Sequence, residues 1–522
     1  MKSISNIVCS ISGWVKKNPI EFWILIVILL AGAVSRLYKI DQYMTFLGDE
    51  GRDVIIVRRL LTEGHPPLIG PGTSIGNMYL GPLYYYFMAP GLLLANFSPV
   101  GSAIQIGILG IITIFLVWLV GREWFGKNVG LIAAGLYAIS PIVIVYSRSS
   151  WNPNIMPFFA LLSVYSIWRV WKNNEFKWLL ILGVSFAFVL QSHYLGLLLA
   201  PPLGIFWFLM IKNVWKDKTI KPYAIAKLNL IRYTLYAIAV FALLMSPLLI
   251  FDIRHDWINF NAMKKFFVER QTTVSARPWS SIPKLPALFV QINQSLLTAG
   301  SLLMSKIISA IFAIGSLWLL LKNRKKSDFL IKYGQHILLF VWMLFALIGF
   351  GIYKQNIYDH YFGFVFAVPF LMYGVFVDGL MKLNKFTKFI GVFLTLYLIY
   401  LSLINSPLGD TPNYQLRRAG NVAEKIAVEA GGSEYNLAVL AERNYQDGYK
   451  YFLLNKGSKV IEIDAQKPET IKDQLFVVCE MLPEKCDPPH SPRAEVANFG
   501  WSKVSEQWTV DGVLIYKLIH TQ

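Results

Sequence analysis

Apolar residues dominate this chain in runs of about 20, separated by short polar stretches. The runs lie near residues 22–38, 101–121, 129–147, 154–171, 176–191, 193–212, 231–251, 302–321, 335–352, 360–378 and 387–406. They predict a polytopic α-helical membrane protein with about 11 transmembrane helices. A further candidate, "PLYYYFMAPGLLLANF" at 82–97, is short, aromatic and interrupted by Pro90. Hydropathy alone leaves it undecided.

Basic residues decide that point and the orientation. They cluster at Lys16/Lys17, Arg122/Lys127, Arg169/Lys172/Lys177, Lys212 to Arg232, Lys322 to Lys332 and Lys382 to Lys388. With eleven spans every cluster falls on the N-terminal side; with 82–97 counted as a span they scatter over both sides. The positive-inside rule therefore predicts a cytoplasmic N-terminus, an extracytoplasmic region after residue 407, and 82–97 lying in the outer interface. No small-residue cleavage site follows the first run, so a retained helix is expected there.

The same topology sorts the polar motifs. "FLGDEGRD" (46–53), "SRSSWNPN" (147–154), "QSHY" (191–194), "FDIRHD" (251–256) and "YKQNIYDHY" (353–361) all fall outside. The inner loops hold little beyond Lys, Arg and Asn. Two outer loops are long, 39–100 and 252–300. In the second, Trp257, Phe260, Met263 and Phe267 recur at helical spacing, which predicts an amphipathic helix on the membrane surface or packed on the protein.

The pattern changes at about 407, dividing the chain into a membrane part, 1–406, and a polar region, 407–522. A helical pattern at 414–430 precedes β-rich runs at 436–442, 458–463, 474–480 and 512–519. These predict a small α/β domain with a largely parallel sheet. It lacks a Gly-rich phosphate loop and a nucleophile elbow, so a structural, acceptor-docking or regulatory role is expected of it.

Composition agrees. The 522 residues are 55% hydrophobic and 15% charged, with mean hydropathy +0.48; soluble domains carry about 25% charged residues. The net charge of +18 sits in short loops and not on a face interleaved with stacking aromatics, which argues against nucleic acid as a partner. Cys9 stands alone, while Cys479 and Cys486 are spaced for a disulfide or for two free thiols.

In "FLGDEGRD", Asp49 is placed either to cap a helix or to act as a general base, and Asp53 shares its face at i+4. Glu50 is near Asp53, and Arg52 orients or neutralises the acids. Arg148 suits a phosphate through its planar fork, or snorkels beside Trp151. His193 and Tyr194 occupy a very short link between spans. Arg254 and His255, with Asp256, make a second charged corner or a helix cap, and the same alternatives hold for Asp359, His360 and Tyr361. Tyr84, among Tyr79, Tyr85 and Tyr86, covers a sugar or lipid tail or belongs to an interfacial belt.

The acidic pair Asp49–Glu50, the following "PPLIGP…YLGPLYYYF", the multispan core and the outer C-terminal domain resemble the GT-C glycosyltransferases. The resemblance is to the branch of the protein O-mannosyltransferases and aminoarabinose transferases. It is clearest over 20–260, weaker to 406, and does not cover the C-terminal domain. It implies transfer of a polyprenyl-phosphate-linked sugar, mannose or a related hexose or pentose, to a protein, lipid or glycan acceptor. By the same resemblance Asp49 is the general base, Glu50 its acidic neighbour, and Arg148, matched by position, holds the lipid phosphate. Asp53 has no counterpart. Oligosaccharide-transferring relatives carry Asp-x-Asp; residues 49–51 read Asp-Glu-Gly, so the motif does not require a divalent metal, although His193, His255 and His360 remain as a further metal set.

Two readings compete with the transferase. A lipid-linked-sugar flippase or transporter predicts charges near the bilayer midplane, which the spans largely lack, and internal repeats, which are not evident. A membrane-anchored binding protein predicts that the C-terminal domain is the working part.

Overall fold

The computed structural model describes residues 13–73, 78–216, 223–269, 274–275, 277–323 and 329–521. Cys9 lies outside these residues, as do parts of the Gly/Pro-rich run after Gly64 and of the basic loops at 212–232 and 322–332.

Every apolar run of the sequence falls on helix. The helices are α1 Pro19–Leu37, α2 Gly48–Glu63, α3 Leu83–Leu94, α4 Pro99–Phe125, α5 Lys127–Ile139, α6 Met156–Asn173, α7 Trp178–Ser192, α8 Ala200–Lys216 and α9 Tyr223–Arg254. After a second long loop come α10 Leu302–Asn323, α11 Phe329–Ile352, α12 Ala367–Leu383 and α13 Lys385–Ile404. Among the described residues seven helices are long and apolar enough to cross a membrane. An eighth arises if the turn Asp359–Val365 and α12, bent by 60°, form one span.

Within 82–97 the structure forms a short apolar helix, α3, as it does at α5 and α7. Helix α3 has 12 residues, about 18 Å of rise, against a hydrocarbon core of about 30 Å. It buries Tyr84, Tyr85, Met88 and Leu92 within the protein. Gln191 ties it down, accepting the Leu83 N–H at 3.2 Å while donating to the Leu244 carbonyl at 2.9 Å. The expected helix after Trp257 also forms, at Ile258–Glu269, with Trp257, Phe260 and Met263 exposed.

The basic ends of the helices are less bare than the sequence suggests. Arg122 pairs with Glu21 at 2.7 Å, Arg169 with Glu123 at 3.0 Å and Glu175 at 2.5 Å, and Lys382 with Asp378 at 2.5 Å. Glu21, Glu123 and Asp378 sit within helices, where they do not read as loop residues.

The C-terminal domain carries α14 Gln415–Glu429, β1 Asn436–Leu440, α15 Asp447–Asn455, β2 Gln474–Cys479, β3 Ser502–Val510 and β4 Val513–His520. Strand order is β1-β2-β4-β3. Only β1 and β2 pair in parallel; β2/β4 and β3/β4 are antiparallel, so the sheet is mixed and not largely parallel. The run 458–463 contributes one isolated bridge, Val460 to Tyr435, and no strand. Cys479 and Cys486 form a disulfide. This domain rests on the first loop of the membrane part: Gln415 Oε1 accepts the Phe46 N–H at 3.0 Å, and Phe46 packs edge-on to Phe452 at 5.6 Å.

Candidate active site

Helix α2 opens within the acid motif, but Asp49 is not its cap. Leu47 precedes the helix in extended backbone, and Glu50 reaches back so that its Oε2 accepts the Leu47 N–H at 2.9 Å. Asp49 is thereby left free of capping duty, its side chain 41% exposed. Gly64, at φ 67°, ends the helix in the left-handed region.

Arg52 bridges the two aspartates. It donates to Asp49 Oδ1 at 2.9 Å, and to Asp53 Oδ1 at 3.0 Å from Nε and 2.7 Å from Nη2. Asp53 is fully buried, and its Oδ2 has no hydrogen-bond partner among the described residues. Burial pushes Asp53 up despite the Arg52 charge, and pushes Glu50 up to about 7.

Three other polar motifs converge on this loop. The charge of Asp49 acts on His360, which lies 4.7 Å from the Trp151 ring and 5.9 Å from His193. His193 stacks on Tyr194 at 4.4 Å and meets Tyr361 at 4.8 Å, while the Tyr194 and Tyr353 hydroxyls are 3.1 Å apart. Tyr84 feels the Asp53 and Glu50 charges and shares a 2.6 Å hydrogen bond with Ser150. Asp49, Glu50, Arg52, Asp53, Tyr84, His193, Tyr194 and His360 thus share one corner of the molecule. It offers a carboxylate beside aromatic and imidazole faces, groups suited to binding a sugar and moving a proton.

The other candidates are engaged differently. Arg148 is buried and directs Nη1 to the Ser35 carbonyl at 3.0 Å and Nη2 to the Tyr38 carbonyl at 2.6 Å, with Tyr43 beneath it at 4.8 Å. It closes the C-terminal end of α1, where a cation complements the unpaired carbonyls. Both terminal nitrogens are thus bonded within the protein, while the buried Nε has no hydrogen-bond partner among the described residues. Arg254 and His255 are exposed at the end of α9, and the His255 ring bonds the Phe251 carbonyl one turn back at 2.8 Å. The capping expected of that corner falls to buried Asp252, which accepts from Asn259 at 2.8 Å and Phe260 at 3.0 Å. His255 does not join His193 and His360, and among the described residues no three His, Cys, Asp or Glu side chains gather to hold a metal ion.

Two residues of the corner had no signal in the sequence. Tyr445, from the loop after β1, donates to Asp49 Oδ1 at 2.7 Å. Beside it, Asn444 Oδ1 accepts the Gly48 N–H at 2.8 Å. With Arg52 and Tyr445 both on Oδ1, no described residue donates to Asp49 Oδ2.

Residues 80–251 match the family described as dolichyl-phosphate-mannose-protein mannosyltransferase. The protein O-mannosyl-transferase tmem260 of Dictyostelium discoideum is 22% identical over 260 residues, 46% of this chain and 29% of its own length. The putative mannosyltransferase YkcB of Bacillus subtilis is 23% identical over 226 residues, 39% of this chain and 28% of its own length. The chain thus spans under a third of each of these curated relatives. Among solved structures, ArnT from Cupriavidus metallidurans bound to undecaprenyl phosphate superposes with a TM-score of 0.58 at 13% identity, over 97% of this chain and 98% of that one. The oligosaccharyltransferase AglB from Archaeoglobus fulgidus, in complex with an inhibitory peptide and a dolichol-phosphate, gives 0.51 at 15% identity over 89% and 70%. The fold is the GT-C fold of multi-pass membrane proteins. The likeness to the mannosyltransferases covers residues 80–251, and the likeness to ArnT is one of fold.

Proposed function

We propose that the chain is a membrane glycosyltransferase that takes a sugar from a polyprenyl-phosphate donor and passes it to an acceptor hydroxyl or amine on the extracytoplasmic face. The observation that carries this reading is the state of Asp49: half-exposed, gripped on one oxygen and open on the other, in the corner where the polar loops meet. Asp49 Oδ2 takes the acceptor proton as the acceptor attacks the anomeric carbon. The bond from that carbon to the phosphate oxygen breaks, and polyprenyl phosphate leaves with the bonding pair. With one open base and no second nucleophile assigned, the step is a single displacement that inverts the anomeric centre. Mannose or a related hexose or pentose is the expected sugar, in keeping with the names of the relatives.

A place for the lipid tail supports the reading. Two apolar cavities of about 420 and 610 Å³ share Phe312, Ser316, Phe340 and Met372, and so form one groove among α10, α11, α12 and the helix Leu285–Leu296. The segment that joins α11 to α12 carries His360.

The test is to supply the purified protein, in lipid, with radiolabelled polyprenyl-phosphate sugars and an acceptor panel. Release of free polyprenyl phosphate with an inverted product supports the proposal. Donor that crosses the bilayer intact indicates a transporter, and a retained anomeric configuration rules out single displacement.

A further inference from the structure

Resting on that reading, we propose that Tyr445 is a positioning residue for Asp49, so that the C-terminal domain completes the transfer site. Tyr445 and Arg52 donate to the same oxygen, Asp49 Oδ1, at 2.7 and 2.9 Å, and Arg52 Nη1 also reaches the Tyr445 hydroxyl at 3.3 Å. The three groups close a triangle. It stops the carboxylate from rotating and presents Oδ2 as the oxygen available to an acceptor proton. A base held in its reacting geometry spares the reaction that ordering cost.

The seam around this contact is built for close approach. A Cβ on Gly48 would stand 2.4 Å from the Tyr445 ring, and one on Gly51 would stand 2.3 Å from the Asp447 backbone. Only glycine lets the two segments meet this closely. Tyr445 is itself held: Asn444 Oδ1 accepts the Tyr445 N–H at 2.9 Å as well as the Gly48 N–H at 2.8 Å. Asn444 in turn donates to Glu480 Oε1 at 2.6 Å, the same oxygen that the Tyr449 hydroxyl bonds. The hydroxyl of Tyr445 is thus fixed from both sides of the interface. Burial and the Asp49 charge push its pKa up, which keeps it a donor.

The experiment compares Tyr445→Phe with wild type in the full-length protein in lipid, using whichever donor of the radiolabelled polyprenyl-phosphate panel the wild type consumes. Phenylalanine keeps the ring over Gly48 and removes only the hydroxyl. The expected result is a fall in kcat of roughly tenfold or more, the loss of one charge-assisted hydrogen bond. Binding of unlabelled polyprenyl phosphate should stay at the wild-type value, and the variant should remain fully folded at the assay temperature, with at most a small fall in thermal midpoint. In an Asp49→Asn background the same change should have no further effect. Wild-type kcat in Tyr445→Phe overturns the proposal, as does an undiminished second loss in the Asp49→Asn background, or a kcat loss matched by loss of folded protein. Failure of the wild type to consume any donor overturns the proposed function and this inference with it, whereas a defect of this inference alone appears only in Tyr445→Phe.

Discussion

The Tyr445 hydroxyl meets the Asp49 carboxylate at 2.7 Å across 396 residues of sequence. One partner stands in the first turn of α2, the other on a loop of the C-terminal domain. The contact makes the acid loop an interface, and that changes what a small substitution there should do.

Gly51→Ala should loosen the docking of the two parts. Its Cβ would lie 2.3 Å from Asp447 backbone atoms, which cannot yield as a side chain can. Overpacking of this kind costs about 1–3 kcal/mol. Thermal unfolding and limited proteolysis between 407 and 414 should both register the change, with faster cleavage in the variant. A wild-type midpoint and cleavage rate would show that the seam tolerates a methyl group.

The buried carboxyl of Glu50 should make stability depend on pH. Its folded pKa is up at about 7, from burial first and from Asp49 and Asp53 after it, while an unfolded glutamate titrates near ~4.3. Between those values the folded protein binds the extra proton. Stability should therefore fall as pH rises through the window from about 4.3 to 7, and level off above it. Glu50→Gln keeps an oxygen to accept the Leu47 N–H and removes the titration. The difference in thermal midpoint between wild type and variant should shift in the variant's favour as pH rises through that window. A pH-independent difference would contradict the assignment.

Gly315 lines the apolar groove with no atom within 4 Å of where a Cβ would stand, so a side chain can start there without a clash. Gly315→Phe should fill the groove. The KM for a long polyprenyl-phosphate donor should rise several-fold, with little change for a donor truncated to two isoprene units. Equal effects on both donors would place the tail elsewhere.

Arg148→Gln should act on stability before catalysis. The substitution removes the cation that bonds the Ser35 and Tyr38 carbonyls, contacts of about 1.5–3 kcal/mol for a charged donor. A lower thermal midpoint with donor KM little changed is expected. A selective rise in donor KM at an unchanged midpoint would restore Arg148 as a phosphate ligand.

The helices of the membrane part were legible because long apolar runs leave a strong, local mark; α3 was set apart by the distribution of the basic loops, since hydropathy left it undecided. Strand β3 was not, since "SKVSEQWTV" is an exposed, polar edge strand. Its signal was the Asp511–Gly512 pair that follows, both at positive φ, 45° and 82°, which closes the hairpin with β4. The run 458–463 reads as a strand by composition, yet it makes a single bridge beside β1. Within the site, Asp49 read equally as a cap and as a base; that it is not the cap depends on Glu50 taking the Leu47 N–H, a detail of side-chain reach. The carbonyl partners of Arg148 were not legible, since no residue pattern announces backbone acceptors. Tyr445 carried no local signal at all, since its role exists only once the chain has folded back on its own first loop.

The central claim is that Asp49 is the base. The most direct test measures release of polyprenyl phosphate by wild type and Asp49→Asn, alongside equilibrium binding of polyprenyl phosphate to both. The amide keeps the size of the side chain and an acceptor oxygen for Arg52 and Tyr445, and loses the basicity. The account predicts turnover reduced at least a hundredfold with lipid binding retained. Turnover in Asp49→Asn equal to that of the wild type would contradict it.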